Sequence, residues 1–269
     1  MNIEPPLDDN KMLWVQCYCW FYDLLSNKKR QTFLALLDEF VTGIKFVGVG
    51  VDITDEIRVA VGGWAVLLVL NRPLGINWYS HIERVSIYPG NTLKSENVLG
   101  LLADGSHYCQ IHLAWEDVRD SSTKATDSGN TILHEFAHAL DHITREVNGH
   151  PSILLSKEEL TEWKKIFCPE FIHSKPEKQR AKLWKYFGLG AWNKFDRNDS
   201  SCVDVGELFA VSTEKFYEDP LELQKIAPEI YNCLTKLYRF DAVVEMPKKQ
   251  KTTIVRDALS IALNRFKWT

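Results

Sequence analysis

Within Thr131-Ile132-Leu133-His134-Glu135-Phe136-Ala137-His138-Ala139-Leu140-Asp141, three residues have types and spacing that can do chemistry: His134, Glu135 and His138. Two imidazoles four residues apart project from one side of a helix, one turn above the other, so both can reach one metal ion. Glu135 sits one step round, where it can hold and deprotonate a water on the metal without ligating the metal itself. The chemistry implied is metal-assisted hydrolysis: the ion lowers the pKa of water to about 7, and the carboxylate carries the proton to the leaving group. Histidine and carboxylate donors suit a single zinc ion and also accept other divalent ions.

The helix that carries these residues must lie in a core. Ile132 and Leu133 precede the motif, Phe136 and Ala137 fill it, and Ala139 and Leu140 follow, with no helix breaker from Thr131 to Thr144. A catalytic zinc normally takes three protein ligands and leaves a fourth position for water, so one more donor is required. His142 would fall nearly in line with the first two imidazoles, a poor match for tetrahedral geometry. The longer extension with Gly and His at fixed offsets fails, because Asp141 and Thr144 occupy those places. Glu207 is the better candidate, on a second apolar helix from Val205 to Tyr217 that also carries Glu214 about two turns further along the same face. Asp204-x-x-Glu207 equally fits a capping box, which would turn Glu207 back onto its own helix terminus, and spacing leaves the two roles open.

The rest of the chain must position these helices. With 269 residues and 45% apolar content it can bury a sizeable core. A net charge of -4 argues against a nucleic-acid surface, and the clusters Lys28 to Arg30 and Lys248 to Lys251 are read as solvated surface. Val59 to Leu70, the longest uncharged apolar run, is too short to span a bilayer, so no membrane partner is expected. Met1 to Asp9 carries Glu4, Asp8 and Asp9 rather than a basic leader, and six cysteines stand without a C-x-x-C pair. Both point to a reducing, cytoplasmic setting.

Helices are expected over 11–25, 28–42 and 54–70, the last opened by Thr54 with Asp55 and Glu56 in its first turn and packed closely at Gly62-Gly63. Strands are expected at Phe46 to Val51, Val85 to Tyr88 and Tyr108 to Ala114, with a turn at Asp120-Ser121-Ser122. Ser156-x-x-Glu159 and Ser174-x-x-Glu177 read as capping boxes, and Asn148 to Pro151 and Gly188 to Ser201 as loops. A last amphipathic helix is expected at Thr253 to Phe266. His107-x-Cys109-x-x-His112 reads as ordinary strand side chains, since His112 would point away from the other two.

The run His134 to Asp141, then Glu207 to Val211 continuing through Glu214-x-x-Tyr217-Glu218-Asp219-Pro220, resembles the Mlc titration factor A family of zinc peptidases. The likeness extends through Leu113-Ala114-Trp115-Glu116-Asp117-Val118 and Leu237-Tyr238-Arg239-Phe240-Asp241, and covers roughly residues 25 to 241. That family is similar to the catalytic domain of anthrax lethal factor. The resemblance implies an α+β zincin-like metallopeptidase domain with a small mixed sheet, an active-site helix and additional helices. It would span 25–241, between an N-terminal helical segment at 1–24 and a C-terminal helical extension at 242–269.

It further implies that His134, His138 and Glu207 hold one zinc ion, with Glu135 as general base. Asp141 and Glu214 match family positions and would orient a histidine. Related zincins place a tyrosine shortly before the third ligand to polarise the scissile carbonyl, but Asp196 to Gly206 contains none, and Ser200 stands in its place. The expected activity is zinc-dependent peptide hydrolysis, with aminopeptidase-like cleavage implied by relatives. An extended substrate would pair beside Ala114 and Trp115 at the end of a strand. The alternative is a weakly active or inactive zincin that acts as a regulatory protein-binding module, sequestering a transcriptional regulator as the family name implies.

Overall fold

A computed structural model of the chain describes residues 10–90, 109–123, 129–145, 148–188 and 204–246. The expected helix at Thr253 to Phe266, His107, Ser200 and most of the Gly188 to Ser201 loop lie outside the described residues. Residues group into two units, 1–136 with 245–269 and 137–244, and the boundary between them falls inside a single helix, Thr131–Asp141.

The first unit is organised by a helix that has to be surrounded. Lys11–Tyr18 (α1) and Asn27–Gly43 (α2) are followed by the short strand Phe46–Gly48 (β1) and then by Asp55–Val69 (α3). Thr54 caps α3 by accepting the Ile57 N–H, Asp55 and Glu56 complement its N-terminal dipole, and every residue from Ile57 to Val69 is buried. Neighbours approach at the expected glycine pair: a Cβ on Gly63 would stand 2.1 Å from Cys19 Sγ, and one on Gly62 would stand 2.9 Å from Leu37 and Phe40. The helix expected over 11–25 is broken at Cys19 into α1 and a 3-10 turn, Trp20–Leu24. The break lets Phe21 meet Trp64 edge-on at 4.8 Å and Phe33 at 5.6 Å, a tertiary gain that outweighs local helix preference.

Strands Ile82–Tyr88 (β2) and Cys109–Ala114 (β3) complete the described sheet, in the order β1-β2-β3. Phe46 pairs with Val85 and Val85 with Ile111, and the described strands are parallel throughout rather than mixed. The first strand stops at Gly48, short of the expected Val51, because the chain folds back there: a Cβ on Gly48 would stand 1.8 Å from the Val51 carbonyl oxygen. Trp115–Thr123 (α4) replaces the turn expected at Asp120 to Ser122. Ser121 satisfies its hydroxyl within this helix by donating to the Asp117 carbonyl at 2.7 Å.

Thr131–Asp141 (α5) then leads into the second unit, which contains Lys157–Ile166 (α6), Pro169–His173 (α7), Glu177–Phe187 (α8), Val205–Glu218 (α9), Pro220–Ile226 (α10) and Pro228–Tyr238 (α11). A short helix, Ala242–Glu245 (α12), follows. Ser156 and Glu159 form the complete capping box of α6. Ser174 does not open α8: it closes α7, and α8 starts after Pro176, whose ring disfavours helical backbone at Lys175. Trp163 stacks on Phe167 at 4.1 Å, and Phe209 of α9 meets both rings edge-on. Thr213 and Tyr238 join their hydroxyls at 2.7 Å, tying α9 to α11. No helix among the described residues is long and apolar enough to cross a membrane.

The glycine contact yields a prediction. Gly63→Ala is expected to cost about 1–3 kcal/mol of unfolding free energy through overpacking against Cys19. Cys19→Ala in the same chain should restore most of it, so the double-mutant cycle should be non-additive by chemical denaturation. Additive losses would show that the two positions do not press on each other.

Candidate metal centre

Helix α5 begins where Asn130, fully buried, accepts the Leu133 N–H on its side-chain oxygen at 3.1 Å. This cap is legible in Asn130-Thr131, since asparagine is a preferred N-cap. Along α5, Ile132, Leu133, Phe136, Ala137, Ala139, Leu140 and Asp141 are all buried. After Thr131, only His134, Glu135 and His138 of this helix are partly covered, so it presents the three chemical side chains on one strip. Phe136 holds the first half in the first unit, packing on Tyr79 at 5.2 Å and Phe40 at 5.7 Å. The unbroken helix places His138 one turn from His134.

Glu207 lies in the first turn of α9, and its surroundings separate the two roles that spacing left open. Asp204 Oδ1 accepts the Glu207 N–H at 3.1 Å, so the helix is capped by the aspartate. The Glu207 carboxylate itself turns to α5, with Oε1 3.2 Å from His138 Nε2 and each side chain 19% exposed. One donor atom each from His134, His138 and Glu207 lie within 4.8 Å of one another. Ligands about 2.0–2.1 Å from a tetrahedral zinc stand about 3.3 Å apart, so the His138–Glu207 separation already suits a shared ion. Two nitrogens and one oxygen are also the right donors for that ion. His142, the in-line alternative, is buried at the start of a 3-10 turn and stands outside this trio.

The other expected residues fall as follows. Asp141 is fully buried and accepts the Gly149 N–H at 2.6 Å; burial pushes its carboxyl up to about 6, against the pull of Gly149 and of His138. Glu214 is buried two turns after Glu207, and Glu218, part of the run that carries the family resemblance, is buried one turn beyond it. Cys109, at the start of β3, has its thiol pushed up to about 12 by burial and by the Glu135 carboxylate, which sets Glu135 near that strand. Among the described strands β3 is at an edge of the sheet. Ala114 ends it, buried and in register with Tyr88, while Trp115 is the first residue of α4 and packs its ring against Tyr18 at 6.0 Å. His112 Nδ1 is 3.0 Å from the Tyr88 hydroxyl.

Known proteins match this chain over most of its length. The family model described as glucose-regulated metallo-peptidase M90 matches residues 3–239. An uncharacterized Synechocystis protein is 28% identical over 83% of this chain and 81% of its own length. A protein named Mlc titration factor A from Pectobacterium atrosepticum is 27% identical over 84% of each chain. Another of that name from Yersinia pestis is 25% identical over 65% of this chain and 64% of its own.

Because the Asp204 side chain caps the helix that presents Glu207, Asp204→Ala should cost about 1 kcal/mol of stability, read by chemical denaturation. Asp204→Ser, which keeps an accepting oxygen, should lose only a few tenths. Equal losses in the two variants would show that the cap contributes nothing.

Proposed function

We propose that the chain, which belongs to the glucose-regulated metallo-peptidase M90 family, hydrolyses peptide bonds with one zinc ion held by His134, His138 and Glu207. The observation that carries this reading is the Glu207 carboxylate turned toward His138 while Asp204 does the capping. A glutamate needed only for its own helix end would have no reason to meet an imidazole from a helix about 70 residues earlier in the chain.

An ion held by these donors supplies Lewis acidity, making water easier to deprotonate and a carbonyl easier to attack. Glu135, beside the two ligands on the exposed strip of α5, takes the proton from the attacking water. The same carboxylate then delivers it to the departing amine, so one residue serves as base and acid in turn. Partial burial strengthens both steps, because the surroundings are less polar than water. Asp141 and Glu214 support the histidines from buried positions. An extended peptide adds to the β3 edge near Ala114 and Trp115, and its cleavage is aminopeptidase-like, as the family resemblance implies. Five described cysteines are free thiols, consistent with work in the cytoplasm.

A second reading draws on two specific observations. Relatives of this chain carry the name Mlc titration factor A, and Asp196 to Gly206 lacks a tyrosine to polarise the substrate carbonyl. In that reading the chain binds a regulatory protein, and hydrolysis is weak or absent.

One set of variants separates the two. Glu135→Gln should bind zinc as the wild type does and lose about 10²- to 10⁴-fold in peptide hydrolysis, measured with fluorogenic peptides alongside metal analysis. Glu207→Ala should lose the metal. Equal hydrolysis by wild type and Glu135→Gln would remove the peptidase reading and favour the binding one.

A further inference from the structure

We infer that Gly149 is a positioning residue that sets the spacing between the two metal-bearing helices, an inference that rests on the zinc site proposed above. His138 and Glu207 have their own contact, but something must hold α5 and the start of α9 at that separation. The loop after α5 does so through one residue, Gly149. Its N–H is donated to Asp141 Oδ2 at 2.6 Å, and its carbonyl accepts from the Trp163 indole at 2.7 Å. Asp141 and Trp163 are themselves fully or almost fully buried.

The open face of the same residue rests on α9. A Cβ added to Gly149 would stand 2.3 Å from the Val205 carbonyl oxygen and 2.6 Å from its carbon. Gly149 also has φ +73°, a backbone region that favours glycine. Asp141 is three residues after His138, and Val205 is two before Glu207. A short physical path therefore runs from one ligand to the other: His138, the end of α5, Asp141, the Gly149 peptide, Val205, and the first turn of α9.

The magnitudes favour a movement of Glu207 when this path is disturbed. Real Cβ contacts are essentially never under 3.0 Å, so a methyl at 149 forces a displacement of the order of 1 Å. The loop cannot readily yield, because the Gly149 N–H and the Gly149 carbonyl are both hydrogen-bonded to buried partners. Metal–ligand distances hold only within about 0.2 Å. Pushing Val205 outward by more than that carries the Glu207 carboxylate out of range.

The test uses the full chain and zinc itself. Wild type, Gly149→Ala, Trp163→Phe and Glu207→Ala are titrated with zinc by chelator competition, and each is melted with and without the ion. We expect Gly149→Ala to bind at least tenfold more weakly and the zinc-induced rise in Tm to shrink accordingly. Trp163→Phe frees the Gly149 carbonyl without adding a methyl, and should weaken binding in the same direction by about threefold. A purely structural role would lower the melting temperature of the metal-free and zinc-loaded forms together and leave the affinity at the wild-type value, which would overturn the inference. If Gly149→Ala does not fold, Trp163→Phe decides alone, and wild-type affinity there overturns it. If wild type and Glu207→Ala take up zinc equally, or neither does, the metal site itself is wrong and this inference falls with it.

Discussion

The contact between His138 and Glu207 is the constraint on which the rest of the arrangement depends. Two polar side chains, each about four-fifths covered, come from helices far apart in the chain, and neither can be left without a partner at that depth. Their separation suits either a hydrogen bond or a common ion, so metal uptake would need little rearrangement of these two groups. Everything nearby works to keep the geometry: Asn130 fixes where α5 begins, Asp204 fixes where α9 begins, and each cap uses a side chain that is not itself a donor to the trio.

Helix α5 is gripped differently along its length. Its first half is anchored by aromatic packing, with Phe136 against Phe40 and Tyr79. Its end is anchored by a buried carboxylate, Asp141, taking the Gly149 N–H. Aromatic packing resists translation through filled volume, whereas the hydrogen bond is aligned on one acceptor atom and resists rotation. A helix presenting two imidazoles one turn apart needs both kinds of restraint, because rotation about its axis would swing both away together. Burying Asp141 is costly, as its raised carboxyl pKa indicates, and that cost is borne at the position where rotational control is required.

How far this could be read in the sequence depended on the range of the governing interaction. The motif helix, the Ser156–Glu159 box, the cap at Thr54 and the glycine pair facing close neighbours follow local rules, and all are present. The break at Cys19 did not follow, because it is decided by Phe21 reaching Trp64 and Phe33, a packing gain invisible to helix periodicity. The serines of α4 suggested a turn because Ser is a turn residue, yet back-bonding to Asp117 lets Ser121 stay helical. Ser174 does not cap α8, for a local reason, the proline two residues on. Asn148 to Pro151 is legible as a loop, but only the contact of Gly149 with Val205 gives that loop a role beyond turning the chain.

Glu207 shows the limit most clearly. Asp204-x-x-Glu207 satisfies the pattern for a capping box, and one half of that box is formed, so no rule confined to the segment could have decided where the carboxylate goes. The decision is tertiary: with Asp204 already serving the helix terminus, the glutamate is released to reach α5. The use of one acid in place of another at a helix end is thus what leaves Glu207 facing His138. Such a division of labour also explains why the donor sits in the first turn of α9. Deeper in the helix, Leu208 to Thr213 are buried, with Phe209 packed on Trp163 of α6 and Thr213 bonded to Tyr238 of α11, whereas Glu207 in the first turn stays partly exposed.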